Sequence, residues 1–151
     1  MRSITPCLWF DDRLEEALEF YTSAFPGGKV HGTTRYPDGR LLTADFELAG
    51  MPMKALNGGP QFRFTEAISM FVECDGQDEV DRYWSVLTAD GGEEGQCGWL
   101  TDKYGLSWQI VPVEVMELMA SADADLMGRL MDAISPMRKL DLATLQAAAR
   151  G

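Results

Sequence analysis

The chain has 151 residues, of which 46% are hydrophobic and 25% charged, as in an ordinary soluble globular domain and unlike disordered, collagen-like or low-complexity chains. Its 13 basic and 24 acidic residues give a net charge of -11, so we expect neither nucleic acid nor an anionic membrane surface as a partner. His31 is the only histidine, which limits metal ligation and general-base catalysis alike.

The cysteines and the N-terminal residues predict a cytoplasmic protein. The three cysteines are well separated and form no CxxC pair, which favours reduced thiols over disulfides or a zinc site. The first apolar stretch meets acidic residues by position 11, too early for a secretory signal. No window approaches the roughly 18 apolar residues of a membrane span.

The first part of the chain predicts a strand, a helix and three further strands. Asp12 and Glu15 resemble an acidic capping box before an apolar stripe with helical spacing, and Pro-Gly-Gly at 26–28 ends this helix. Pro37-Asp38-Gly39 is a hairpin signal. The predicted strands cover residues 4–10, 29–35, 41–48 and 51–56.

The same order then repeats. A strand over 67–74 leads to a helix with Asp75 as its N-cap, and Gly91-Gly92 ends that helix. Two or three strands are predicted across 93–111. The two helices carry paired aromatic residues at matching places, which favours an internal repeat.

After Pro112 the pattern becomes helical and predicts a tail over about 113–151. Asp123 and Asp141 are predicted N-caps, and Pro136 breaks the helical run between them. The methionines of this tail are typical of adaptable packing in a core or a dimer contact.

Taken together, these motifs resemble the glyoxalase-like vicinal oxygen chelate superfamily, and within it the PhnB-like branch that is often labelled 3-demethylubiquinone-9 3-methyltransferase. The resemblance runs from residue 4 to about 148 through ITPCLWF with EEALEFYTSAFPGGKV, ALNGGPQFRFTEAIS, EVDRYWSVLTADGG, CGWLTDKYGLSWQIVP and DAISPMRKLDLATLQAA. It implies an α+β fold in which two tandem β-α-β-β-β modules, about 3–60 and 66–112, form a curled mixed sheet. The modules and the helical tail make one domain over 1–151, and the resemblance also implies a homodimer.

Catalytic members of this superfamily hold a divalent metal with ligands from the first and last strand of each module. Counting from the helix aromatics and the turn glycines places these positions at Pro6, Lys54, Ser69 and Gln109. Proline has no donor atom, lysine repels a cation, and serine and glutamine are weak neutral ligands. We therefore predict no metal there and no other cofactor. His31 is interpreted as a surface residue without a catalytic partner.

The methyltransferase label predicts features that are missing from the sequence. Common S-adenosylmethionine enzymes hold the cofactor at a glycine-rich turn between a strand and a helix of a parallel sheet. The glycine-rich segment at 57–60 instead leads into proline and phenylalanine, and no GxGxG turn occurs. The pattern therefore argues against that activity.

Strand alternation predicts which side chains line the concave face of the sheet, the cup. If Gln109 faces the cup, the same alternation predicts which other side chains face it. These are Pro6, Leu8, Phe10, Lys54, Leu56, Ser69, Phe71, Glu73, Ser107 and Val111, and Trp99 and Asn57 are predicted near the rim. The candidate ligand residues are Lys54, Ser69, Phe71, Glu73, Gln109, Leu8, Phe10, Asn57 and Trp99. Lys54 and Glu73 are a candidate ion pair.

Three functions follow from this mainly apolar cup. The first is metal-free binding of a small apolar or aromatic molecule, because such sites are apolar with a few polar points. The second is an enzyme of unknown substrate that uses Lys54, Glu73 or Cys7, with no catalytic residue assigned. The third is a structural or interaction protein, a homodimer whose cup is filled by the tail or by the partner.

Overall fold

The computed structural model describes residues 2–151. Contacts divide the chain between Phe64 and Thr65 into a first unit and a second unit, and each unit contains a strand, a helix and three further strands in that order. The predicted α+β fold of two β-α-β-β-β modules with a helical tail is confirmed, each module having its own four-stranded mixed sheet.

The sheet of the first unit has the strand order β1-β4-β3-β2, with β1 parallel to β4 and the other pairs antiparallel. Its β3–β4 hairpin turns at Ala49 and Gly50, which have φ of 47° and 84°, as a tight two-residue hairpin turn requires. Its elements are β1 (Cys7–Phe10), α1 (Leu14–Ala24), β2 (Lys29–Arg35), β3 (Leu41–Leu48) and β4 (Met51–Asn57).

The beginning of α1 differs from the sequence prediction. The N-cap residue is Arg13, whose side chain makes no cap hydrogen bond. Instead the Asn57 side chain, from the end of β4, accepts a 3.0 Å hydrogen bond from the Leu14 amide and donates one to the Leu41 carbonyl. The predicted Asp12–Glu15 capping box is therefore wrong, because a residue distant in sequence satisfies the first free amide of the helix.

The second unit repeats the arrangement with the strand order β5-β8-β7-β6, in which β5 and β8 are parallel. Asp75 is the N-cap residue of the helix, as predicted, but its side chain makes no cap hydrogen bond. The Glu79 carboxylate accepts a hydrogen bond from the Asp75 amide. The elements are β5 (Ser69–Cys74), α2 (Gly76–Thr88), a 3-10 turn (Ala89–Gly91), β6 (Glu93–Glu94), β7 (Trp99–Thr101) and β8 (Ser107–Pro112).

The tail belongs to the second unit and contains α3 (Val113–Ala120), α4 (Ala124–Ile134) and α5 (Leu142–Arg150). The predicted N-caps are confirmed, since Asp123 accepts from Leu126 N and Asp141 from Thr144 N. The tail has its own buried cluster, formed by Val115, Ile134, Leu140, Leu142 and Leu145.

Gln77 of α2 holds the tail by two bonds. Its amide nitrogen donates to the Leu140 carbonyl at 3.0 Å, and its amide oxygen accepts from the Leu142 amide at 2.8 Å. These bonds satisfy backbone groups at the beginning of α5, where a helix leaves its first amides free.

Between residues 2 and 151, no helix has both the length and the apolar character needed to cross a bilayer.

Candidate functional site

The register of the first unit decides which candidate residues share a face. Cys7 lies beside Lys54 and Leu8 beside Ala55 in the parallel β1–β4 pair, and Lys54 lies opposite Asp45 on β3. Side chains that are paired across strands point to the same side of a sheet. Cys7, Lys54 and Asp45 therefore share one face, and Leu8 lies on the other.

Leu8 and Phe10 are core residues, which corrects their predicted place in the cup. They are 5% and 4% exposed, and the Phe10 ring centroid is 6.5 Å from that of Tyr21 in α1. The prediction gave Pro6 the parity of Lys54, but the register aligns Lys54 with Cys7, and an offset of one residue moves every side chain to the opposite face. Pro6 contributes its carbonyl, which accepts from the Lys54 amide at 2.9 Å.

Three other polar candidates of the first unit have structural partners. Lys54 forms an ion pair with Asp45, and both side chains are more than half exposed. Asn57 is 7% exposed and caps α1, so it does not lie at a rim. His31 is exposed, with Nε2 3.3 Å from a carboxylate oxygen of Glu47. These contacts give the first unit a polar, solvated surface at Lys54 and His31.

The second unit gathers four candidates on one face of its sheet. The register places Phe71 beside Gln109, Trp99 opposite Gln109, and Ser69 two positions before Phe71 on the same side. Trp108 and Ile110 alternate with these residues and are 2% and 0% exposed, as core residues packed towards α2. We call the face with Ser69, Phe71, Trp99 and Gln109 the open face.

The open face combines an exposed ring with a hydrogen-bonded polar pair. Phe71 is 47% exposed, whereas Tyr83, Trp84 and Trp108 of the same unit are buried. Gln109 Nε2 donates to Ser69 Oγ at 2.8 Å, which leaves the Gln109 carbonyl oxygen and one N–H for another partner. Glu73, two residues after Phe71, is exposed at the end of β5. Chemically, this face can stack a flat group and exchange hydrogen bonds with it.

Strand parity places Ser107 on the cup face, but the state of its hydroxyl is visible only in the structure. It belongs to the open face by register, since it pairs with Ser69 and Thr101, yet it is 1% exposed and its hydroxyl has no hydrogen-bond partner. A serine in an alternating strand carries no sequence signal of this kind. The unpaired hydroxyl appears only when the neighbouring segments are folded around it.

The residues at the family's metal positions do not fit a divalent ion. In the first unit, Pro6 offers only a carbonyl that is already bonded, and Lys54 is a cation paired with Asp45. In the second unit, the Ser69 and Gln109 side chains bond to each other. Nowhere in residues 2–151 do three His, Cys, Asp or Glu side chains gather as a metal would require. The absence of a bound metal remains a prediction.

The thiols of Cys7 and Cys74 are not activated as nucleophiles. Partial burial raises the pKa of Cys7, Lys54 opposes this effect and Asp45 adds to it. Burial raises the pKa of Cys74 to about 12, with Glu79, Asp75 and Glu114 adding to the shift. All three cysteines are free. A catalytic thiolate needs a lowered pKa, so the structure gives the Cys7 alternative no support.

Comparison with solved structures identifies the fold. A PhnB protein from Bacillus cereus is 32% identical, with a TM-score of 0.68 over 74% of this chain and 99% of its own. A Pseudomonas aeruginosa protein has a TM-score of 0.62 at 18% identity, over 74% of this chain and 98% of its own. The fosfomycin resistance protein FosX of Listeria monocytogenes, solved with Mn(II) and sulfate, has a TM-score of 0.52 at 19% identity, over 72% and 89% of the two chains.

No curated protein matches the chain. The model of the family described as 3-demethylubiquinone-9 3-methyltransferase matches residues 2–111, which run through both modules as far as Val111 in β8. Together with the Bacillus cereus PhnB structure, this match shows that the chain belongs to the 3-demethylubiquinone-9 3-methyltransferase, or PhnB-like, family, with the fold of the vicinal oxygen chelate superfamily.

Proposed function

We propose that the protein binds a small aromatic molecule on the open face of the second unit without the help of a metal. The observation that carries this proposal is the exposed Phe71 ring on the strand next to Gln109, whose side-chain amide is fixed by Ser69. An apolar surface with a few oriented polar groups is the usual composition of a small-molecule site.

Each of the three side chains has a defined part in this binding. Phe71 stacks on the flat part of the ligand, an arrangement that contributes about 0.5–1.5 kcal/mol beyond the area buried. Gln109 supplies one N–H donor and one carbonyl acceptor, which select ligands with complementary polar edges. Ser69 keeps the amide in one orientation, so that less side-chain entropy is lost when the ligand binds.

The test is a thermal-shift screen of aromatic fragments, followed by measurement of the dissociation constant of each hit. Phe71→Ala should weaken binding by about tenfold, because one stacked ring is lost. Met131→Ala is the matched control, since Met131 is a large apolar side chain of nearly equal exposure, 48%, on a helix of the tail. A screen without hits, or hits that bind Phe71→Ala as tightly as the natural protein, would overturn the proposal.

A homodimer that covers the open face is the competing explanation for an exposed phenylalanine. Light scattering coupled to size-exclusion chromatography separates the two explanations. If Phe71→Ala dissociates a dimer, Phe71 is an interface residue and the small-molecule proposal fails. If the molar mass is the same for Phe71→Ala and the natural protein, the ring remains available to a ligand.

A further inference from the structure

A second feature of the second unit concerns the edge of its sheet at β6 and β7, where the structure has a cavity of about 170 Å³. This volume is well below the roughly 300–1,000 Å³ of sites for drug-sized ligands, so its occupant has few heavy atoms. The cavity is lined by Glu66, Glu93, Glu94, Gly95, Trp99, Leu100, Thr101 and Ser107. Trp99 and Ser107 also belong to the open face by register. The inference below uses neither Phe71 nor Gln109 and does not rest on the proposed function.

The unpaired hydroxyl of Ser107 points to an occupant with a polar atom. Ser107 lines the cavity, is 1% exposed, and makes no hydrogen bond through Oγ. Leaving a buried hydroxyl unpaired costs about 1–3 kcal/mol, and buried polar groups nearly always have a partner in the protein, in water or in a ligand. A hydrogen-bonding group inside the cavity would remove this cost.

The charges around the cavity indicate the sign of that occupant. The Glu94 carboxylate is engaged, because it accepts from Trp84 Nε1 at 2.8 Å and lies 3.6 Å from an Arg138 nitrogen. Glu66 and Glu93 form no ion pair with any cation among residues 2–151, and both are exposed at the mouth. The net charge of the whole chain, -11, has the same sign. Long-range attraction and the local carboxylates therefore both favour a cation.

The donor arrangement favours an organic cation over a metal ion. Among residues 2–151, these carboxylates are not part of any group of three His, Cys, Asp or Glu side chains that could hold a metal ion. The Trp99 indole adds an aromatic surface on which an organic cation binds through its ring quadrupole. The Ser107 hydroxyl accepts a hydrogen bond from a protonated amine, which a quaternary ammonium ion cannot donate.

We propose that this cavity is a binding site for a small primary or secondary ammonium ion. Glu66 and Glu93 would attract its charge, the Trp99 ring would make a cation–π contact with it, and the Ser107 hydroxyl would accept its hydrogen bond. The carboxylates supply the charge, the indole the apolar contact and the buried hydroxyl the directional contact. Binding at the exposed carboxylates is screened by salt, so affinity decreases as ionic strength rises.

The experiment is a titration with n-butylammonium chloride, followed by the nuclear magnetic resonance signal of the Trp99 indole N–H, assigned with Trp99→Phe. We expect saturation with a dissociation constant of about a millimolar, as suits so small a ligand. Neutral 1-butanol and tetramethylammonium should bind at least about fivefold more weakly, because 1-butanol has no positive charge and tetramethylammonium has no N–H donor. The Trp9 signal of the first unit should not move.

Variants distinguish specific binding in this cavity from the general attraction of cations to an acidic protein. Glu93→Gln and Ser107→Ala should each weaken butylammonium binding by about fivefold. Glu19→Gln, which removes the same charge from an exposed position on α1, should leave binding unchanged. The proposal fails if the Trp99 signal does not saturate, if 1-butanol or tetramethylammonium binds equally well, or if Glu19→Gln weakens binding as much as Glu93→Gln. It also fails if neither cavity variant changes the affinity.

Discussion

The side-chain amide of Gln109 donates a 2.8 Å hydrogen bond to the hydroxyl of Ser69 on the neighbouring strand. These two residues occupy the positions at which the superfamily resemblance places metal ligands in the second module. At these positions the structure has two neutral side chains that are hydrogen-bonded to each other. The bond orients the amide that the proposed ligand uses.

Ser69→Ala should lower the free energy of unfolding by about 1 kcal/mol, the usual net contribution of one hydrogen bond. Urea denaturation of the variant measures this change. Glu73→Gln is the control on the same strand, and because Glu73 is exposed it should change stability by less than about 0.5 kcal/mol. Equal stability of Ser69→Ala and the natural protein would show that the bond contributes nothing.

Divalent metals should have no effect on the stability of the protein. A metal that binds only the folded state raises stability by about 2.7 kcal/mol at 100 times its dissociation constant, but the residues at the family's metal positions are poor donors. We expect the same Tm with EDTA and with MnCl2, and no stoichiometric metal in protein purified without a chelator. A saturable rise of Tm with Mn(II) would contradict this expectation.

The Asp102 carboxylate holds the turn between β7 and β8. It is 2% exposed and accepts from the amides of Tyr104 and Leu106 and from the Trp108 indole at 2.9 Å. Asp102→Ala removes the acceptor of these three hydrogen bonds, so we expect a loss of about 3 kcal/mol. Asp102→Asn should lose less, since its amide oxygen still accepts while its NH2 group faces a donor.

Chemical denaturation measures the Asp102 variants, with Asp132→Ala as the control. Asp132 is an exposed acid on α4, and its removal should change stability by less than about 0.5 kcal/mol. If Asp102→Ala were as mild as the control, the three hydrogen bonds would not stabilise the turn.

The cysteines should differ widely in their reaction with iodoacetamide. Cys7 is exposed whereas Cys74 is buried with a pKa of about 12, and only a thiolate reacts. At pH 8 we expect Cys7 to be labelled slowly in the native protein and Cys74 only after denaturation. Peptide mass spectrometry measures the sites, and Cys7→Ser shows how much of the native labelling belongs to Cys7. Fast native labelling of Cys74 would mean that the core of the second unit opens readily.

The N-cap of α5 should make the tail sensitive to acid. The hydrogen bonds from Thr144 hold the pKa of Asp141 below its ordinary value. A group whose pKa is lowered by folding stabilises the protein above its ordinary pKa, and that contribution disappears as the pH falls through the folded value. The stabilising contribution of Asp141 should therefore begin to decrease at about pH 4 and continue to decrease at lower pH.

Asp141→Ala should cost about 1 kcal/mol at about pH 6, the usual value of an N-cap. The difference from the natural protein should shrink towards pH 3, where the aspartate becomes protonated. Thermal unfolding followed by circular dichroism at both pH values measures it. A difference that stays constant over this range would show that the charged form of Asp141 has no special role.

The sequence by itself determined the order of the elements, because helices, strands and turns depend on local patterns. The predicted bounds of β2 and β3 match the structure, and Asp123 and Asp141 cap the helices as predicted. Turn residues, caps and the alternation of apolar side chains act within a few neighbouring positions. For the same reason the repeated β-α-β-β-β order is visible in the sequence.

Only the tertiary structure decided which side chains meet. The pairing of Cys7 with Lys54 put Leu8 and Phe10 in the core, since the register between strands distant in sequence decides the face of every residue. Asn57 caps α1 although it lies 43 residues after Leu14 in the sequence. Ser107 lines a cavity and its hydroxyl has no hydrogen-bond partner. These relationships depend on long-range packing, which local sequence patterns do not encode.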